Sequence, residues 1–304
     1  MITIREYFKL GDVSYKELGK RVYLAVNDDS CAVYSAAMAY YLLFALFPFF
    51  LFLTTLIGYI PIPELLYAIL ENLERLLPKE AFSLMQDNIK SLFMNKKGGL
   101  MSFGFVLALW TSSSAVTSIM DVMNRLYHVK EGRPFWKVRG TAILLVMGLS
   151  ILFIVALILL MFGPRIGEKI AELTTMGTTF TMAWNILIWP AVLFMLILAL
   201  ATIYFFTPDV DQDWRWISPS SVIAVPVWLM ASFAFSFYVN NFGSYNKTYG
   251  SIGAVIVLLL WLYITVFIIL VGAEINSKVE HASDEGKDPG EKVPDEDPSK
   301  RPAK

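Results

Sequence analysis

The stretch TYGSIGAVIVLLLWLYITVFIILVGA (Thr248–Ala273) runs for 26 residues without one charged side chain. A helix rising 1.5 Å per residue needs about 20 residues to cross a hydrocarbon core of roughly 30 Å. Five further stretches read the same way: Cys31–Pro63, Gly98–Met120, Gly140–Pro164, Leu173–Pro208 and Trp216–Asn246. A soluble chain of 304 residues scatters its charges more evenly. The pattern predicts an all-α, polytopic membrane protein with six transmembrane helices.

Composition agrees with lipid as the solvent and removes several functions. Charged residues are 17% of the chain, against about 25% in an ordinary soluble domain. A formal net charge of -1 offers no basic surface for nucleic acid. The single cysteine, Cys31, excludes an internal disulfide and a cysteine-clustered metal site. His128 and His281 lie far apart and no HExxH occurs, so the constellations of zinc hydrolases are missing. No cofactor, metal or catalytic residue is expected, and the chain is not read as an enzyme. The first 30 residues hold no apolar run, so no cleavable signal peptide is expected, and the first long window stays as an anchor.

The loops set the orientation. Seventeen of the 25 Lys and Arg fall on the side of the N-terminus and eight on the other. The compact second loop carries most of the weight, with Arg125, Lys130, Arg133, Lys137 and Arg139. Lys and Arg collect in short cytoplasmic loops, so both termini are expected in the cytoplasm.

Three regions follow. Residues 1–30 form a cytoplasmic arm. Within it Ser14 and Glu17 make a capping box, and Tyr15, Leu18, Val22 and Ala25 recur at helical spacing behind it. That helix either lies on head groups through Lys16, Lys20 and Arg21 or packs on the bundle's own loops. Residues 31–277 form the six-span domain, with an outer segment at 61–97 that reads as two amphipathic helices separated by Pro78. Residues 278–304 are too polar to fold and are expected to be a disordered cytoplasmic tail. Pro48, Pro190 and Pro226 are expected to kink or interrupt their spans.

Candidate functional groups are few. Asp121 and Arg125 stand one turn apart, most simply as an intrahelical ion pair. Glu274, near the end of the last window, either locks the bundle against a base of the second loop or gates it. The hydroxyl run Thr111–Thr117, with Ser113 at its centre, either packs helices closely or lines a polar cavity. The outer stretch Asn240–Ser251 holds Asn240, Tyr245, Asn246 and Tyr249. It is either a tight turn satisfying its own backbone or the hydrogen-bonding rim of a cavity. With Tyr40 and Tyr41 of the first window, these ten residues are the candidate substrate-binding or gating set.

Several stretches resemble one group. They are Ser35–Tyr41 followed by Leu43–Pro48, Asn124–Tyr127, Arg133–Trp136, Tyr238–Val255, Trp261–Tyr263 and Gly272–Asn276. Together they are similar to the signatures of the YihY/BrkB family of bacterial inner-membrane proteins, formerly labelled ribonuclease BN-like. The resemblance covers about residues 15–278. It implies six spans, cytoplasmic termini and an inner-membrane address, and brings no settled activity or catalytic site. Members are discussed as transporters, including of envelope lipids or other amphipathic molecules, and as virulence or serum-resistance factors. The ribonuclease label is regarded as a misassignment. The expected function is therefore a transporter or exporter of an unidentified, amphipathic substrate. The alternatives are a non-transporting envelope scaffold and a membrane-embedded enzyme seeded by Asp121, Arg125 and Glu274. The expected partners are the lipid bilayer and an unknown substrate, with no nucleic acid.

Overall fold

A computed structural model describes residues 14–58, 98–174, 178–211, 218–242 and 245–282. The outer segment at 61–97, the acidic connection at 212–217 and the tail beyond 282 lie outside the described residues. So do the first 13 positions.

The described residues form seven helices and no strand. They are α1 (Tyr15–Asp28), α2 (Cys31–Gly58), α3 (Gly98–Leu126), α4 (Phe135–Thr174), α5 (Thr178–Phe206), α6 (Pro219–Phe242) and α7 (Tyr245–Ala282). Five of them, α3 to α7, are long and apolar enough to cross a membrane. The sixth candidate is the pair formed by α1 and the first half of α2, bent by 60° at their junction. Each of α2 to α6 packs on its successor, α6 packs on α7, and α7 closes back onto α2. The six long helices thus form a ring in chain order. Helix α7 also touches α1 and α3, which puts its last turns at the centre of one end. That end, where α1 lies, is the N-terminal end of the bundle.

The capping box is partly realised. Ser14 Oγ accepts from the Glu17 backbone N–H at 3.3 Å, and Glu17 pairs with Arg21 at 3.3 Å. Helix α1 packs on α7 and α2.

None of the three prolines interrupts its span. Pro48, Pro190 and Pro226 all lie inside continuous helices. Proline forfeits one backbone bond, and the packing of neighbouring helices keeps the helix going. Pro164, read as the end of a window, is also passed. Helix α4 continues to Thr174, for 40 residues.

Beside Pro164 the chain carries Gly163 and Gly167, a small-xxx-small pair that lets backbones approach. A Cβ on Gly163 would meet Ile188 Cδ1, and one on Gly167 would run into the Trp184 indole. Trp184 Nε1 donates to Gly163 O at 2.7 Å, fixing α5 on α4.

Two apolar clusters fill the ring. One, at the N-terminal end, gathers Cys31, Met38, Met123, Leu126, Tyr204 and Leu270 with their neighbours. The other joins α2, α3 and α4 through Phe52, Ala108, Met120, Ala142 and Leu145. Outside, Phe233 is 80% exposed and Trp189 70%. Each such side chain left in water forgoes about 1.5–3 kcal/mol of burial. Dozens of them on one surface are tolerable only where the solvent is hydrocarbon.

Candidate functional site

Polar side chains gather at the N-terminal end, and helix termini put them there. Helix α1 stops at Asp28, and the Asp29 N–H still donates to Ala25 O at 2.8 Å. Ser30 follows with φ 54°, a left-handed conformation uncommon outside glycine. Its carbonyl then accepts from Val33 and Tyr34 to start α2. Helix α3 ends in a Schellman motif: the His128 N–H donates to Arg125 O and the Val129 N–H to Asn124 O, both at 2.9 Å. His128, at φ 55°, occupies the position glycine usually takes. The two left-handed residues flank a contact of 3.5 Å between His128 Nε2 and Asp29 Oδ2.

Glu274 enters this junction from α7. It is fully buried, and among the described residues neither carboxylate oxygen receives a hydrogen bond. Its cation is Lys278, one turn on, with Nζ 3.7 Å from Oε2. The Asp29 carboxyl and the buried Cys31 thiol are neighbours of Glu274 from the α1–α2 junction. Ser277, on the same helical face, is buried with an unpartnered hydroxyl. One turn earlier, Tyr204 of α5 donates to Ile269 O at 3.0 Å. Its hydroxyl lies where a side chain on Gly272 would have to go, so glycine there sets the close approach of α5 to α7.

A second network ties the α3–α4 connection to the end of α5. Arg133 donates to both Glu131 oxygens, at 2.8 and 2.7 Å, and to Phe206 O and Thr207 O at 3.3 and 2.9 Å. A guanidinium on the last carbonyls of α5 answers both their missing partners and the negative end of the helix. Asn124 Nδ2 donates to Glu131 at 2.9 Å, while its Oδ1 accepts from the Asp209 N–H at 2.7 Å. Asp209 accepts from the Gly132 N–H at 2.8 Å. Burial alone would raise the Glu131 carboxyl, but hydrogen bonds from Arg133 and Asn124 outweigh it and hold it at about 2. The same bonds to Glu131 raise Arg133.

A third feature was missed by the sequence reading. Arg139, counted there as a loop cation, lies inside α4 and is 7% exposed. It donates to Trp110 O and to Ser114 Oγ, and its guanidinium sits 4.0 Å above the Trp110 ring. Its only sequence signal was its place beside an aromatic anchor pair, Phe135 and Trp136.

The structure brings few of the ten candidates together. Asp121 and Arg125 form no salt bridge among the described residues; Arg125 instead reaches Tyr34 of α2, at 3.4 Å to its hydroxyl. Tyr34 offers Arg125 both a ring face and an acceptor across the helix contact. Ser113 is buried and donates to Trp110 O at 2.8 Å. Thr111, Ser112, Ser114, Thr117 and Ser118 likewise bond to carbonyls of their own helix. Tyr40 and Tyr41 are half exposed and stack edge-on at 5.7 Å. Asn240 falls in α6, and Tyr245, Asn246 and Tyr249 fall in α7, so most of the stretch read as a turn or rim is helical. The placement of those four side chains lies outside the described residues. Glu274 meets Lys278 of its own helix and not a base of the second loop.

Among the described residues no group of three or more His, Cys, Asp or Glu could hold a metal ion. A groove of about 490 Å³ runs along α6, lined by Leu229, Met230, Phe233, Ala234 and Phe237.

The family model described as Virulence factor BrkB matches residues 22–296. The chain belongs to the BrkB family. It is 34% identical to the ribonuclease-like protein YfkH of Bacillus subtilis (strain 168), over 87% of this chain and 92% of that one. It is 27% identical to a UPF0761 membrane protein of Alcanivorax borkumensis, covering 82% of this chain and 57% of the relative. A UPF0761 membrane protein of Pseudoalteromonas atlantica is 24% identical over 89% and 88%. No solved structure matches. This BrkB-family chain is a multi-pass bacterial membrane protein.

Proposed function

We propose that the protein moves an amphipathic, lipid-like solute across the bacterial inner membrane, with both termini in the cytoplasm. The observation that carries this reading is the α6 groove. It is an open depression on one face of a membrane-spanning helix, and the side chains that line it are wholly apolar. A solute reaching it from the bilayer presents acyl chain or ring, not charge. Arg139, buried in a spanning segment, supplies a fixed cation of the kind that marks solute paths in membrane bundles.

The test is reconstitution. Purified protein in liposomes should speed the transbilayer movement of a fluorescent acyl-chain lipid analogue. Ala234→Trp, which fills the groove, should slow it toward the protein-free rate. A wild-type protein that moves no probe across a broad amphipathic panel overturns the reading.

A second reading, a non-transporting envelope scaffold, is favoured by the α3 hydroxyls. They close on their own backbone, as a dry helix contact requires. It predicts that the same liposomes stay inert while cross-linking in cells captures a defined envelope partner.

A further inference from the structure

At the N-terminal end, two carboxyls meet with too few donors. Glu274 is shut off from solvent and neither oxygen accepts a hydrogen bond. Asp29 is its acidic neighbour across the α7–α1 junction. Two carboxylates cannot bond to each other, but a carboxylic acid and a carboxylate can. An uncompensated buried charge is costly, and a shared proton removes that cost. Lys278 offsets one negative charge at 3.7 Å, which leaves one for the proton.

The neighbours form a route inward. His128 is 39% exposed at its side chain, Asp29 18%, and Glu274 not at all. The three thus step from water to the interior in order. The groups facing Glu274 from each packed element are few. Lys278 lies on α7, Asp29 and Cys31 at the α1–α2 junction, and His128 on the α3–α4 connection, acting through Asp29. The α5 side offers the Tyr204 hydroxyl, which is spent on Ile269 O.

We propose that Asp29 and Glu274 bind a single proton between them, delivered from the N-terminal face through His128. A proton taken from water onto His128 Nε2 passes to Asp29 Oδ2, 3.5 Å away, and rests between the two carboxyls. No other bond changes. The site extends the transport reading by naming an ion that could couple to solute movement, and it does not depend on it.

Infrared difference spectroscopy on the full chain in nanodiscs, without added solute, tests the site. Wild type should show a carboxylic-acid C=O band around neutral pH that disappears as the pH is raised. Glu274→Asp should keep the band and shift its frequency, and Glu274→Gln should abolish it. His128→Ala should keep the band but slow its appearance several-fold after a downward pH jump. Absence of a titrating band in wild type overturns the proposal, and that result needs no variant to fold. A band unmoved by both Glu274 substitutions overturns it as well. A His128→Ala protein that protonates as fast as wild type overturns the delivery route. Because occupancy is read with no solute present, a failed transport assay and a failed proton site remain separate results.

Discussion

Two glutamates at the same end of the bundle are treated in opposite ways. Glu131 receives hydrogen bonds on both oxygens, from Arg133 and Asn124. Glu274 receives none and has one cation at 3.7 Å. The first network also spends its remaining donors on the carbonyls that end α5, so it is closed. The second leaves acceptors facing one another. A satisfied polar network fixes geometry, whereas an unsatisfied one stores a demand for a donor. The α3–α4 connection therefore works as a clamp, and the α7–α1 junction as a receptor.

The largest effect should come from breaking the clamp. Arg133→Met removes the guanidinium from Glu131, Asp209 and two helix-end carbonyls, and should cost about 2–4 kcal/mol in thermal or denaturant unfolding in detergent. Arg133→Lys keeps charge without the fork and should recover less than half of that loss. An unchanged midpoint for Arg133→Met would remove the clamp from the comparison.

Next in size is a steric test away from both glutamates. Gly167→Leu drives into the Trp184 indole and should cost roughly 1–3 kcal/mol. Trp184→Phe, which keeps most of the ring but loses the bond to Gly163 O, should cost about 1 kcal/mol.

Acid should separate the two glutamates. Glu131 falls from its ordinary 4.5 to about 2 on folding. A carboxylate lowered on folding stabilises fully above its unfolded value, and that contribution disappears as pH falls through the folded one. Stability should therefore drop between about pH 4.5 and 2, and Glu131→Gln should flatten that part of the curve. The smallest change is expected at the receptor. Glu274→Gln supplies the missing donor to Asp29 and should alter stability at neutral pH by less than about 1 kcal/mol, in the stabilising direction. A large loss there would mean that the charged Glu274–Lys278 pair is a second clamp.

The fold could be read from the sequence because a charge-free run of 23 or more residues has few alternatives to a spanning helix. Helix ends were less readable. Pro164 and the polar run from Asn240 both looked like stops, yet α4 passes the first, and α6 and α7 together occupy most of the second. Local propensity was outvoted by packing, most visibly where Gly163 and Gly167 admit Trp184. The site was half visible. Glu274 stood out as an acid at a span end. Asp29 read only as a helix-start residue, because its partner lies some 245 positions further along the chain. Arg139 was hidden by its address: a cation beside an apolar run reads as a loop residue unless the helix is known to begin before it.

The length of α4 carries a consequence of its own. Its 40 residues span about 60 Å, twice a typical hydrocarbon thickness. Its charges resume only at Arg165, after a 25-residue neutral run. The last two to three turns, with Arg165, Glu168, Lys169 and Glu172, therefore give a charged end to a helix longer than one crossing needs, away from the N-terminal end. A partner reaching that end of the bundle would meet these charges rather than an apolar surface.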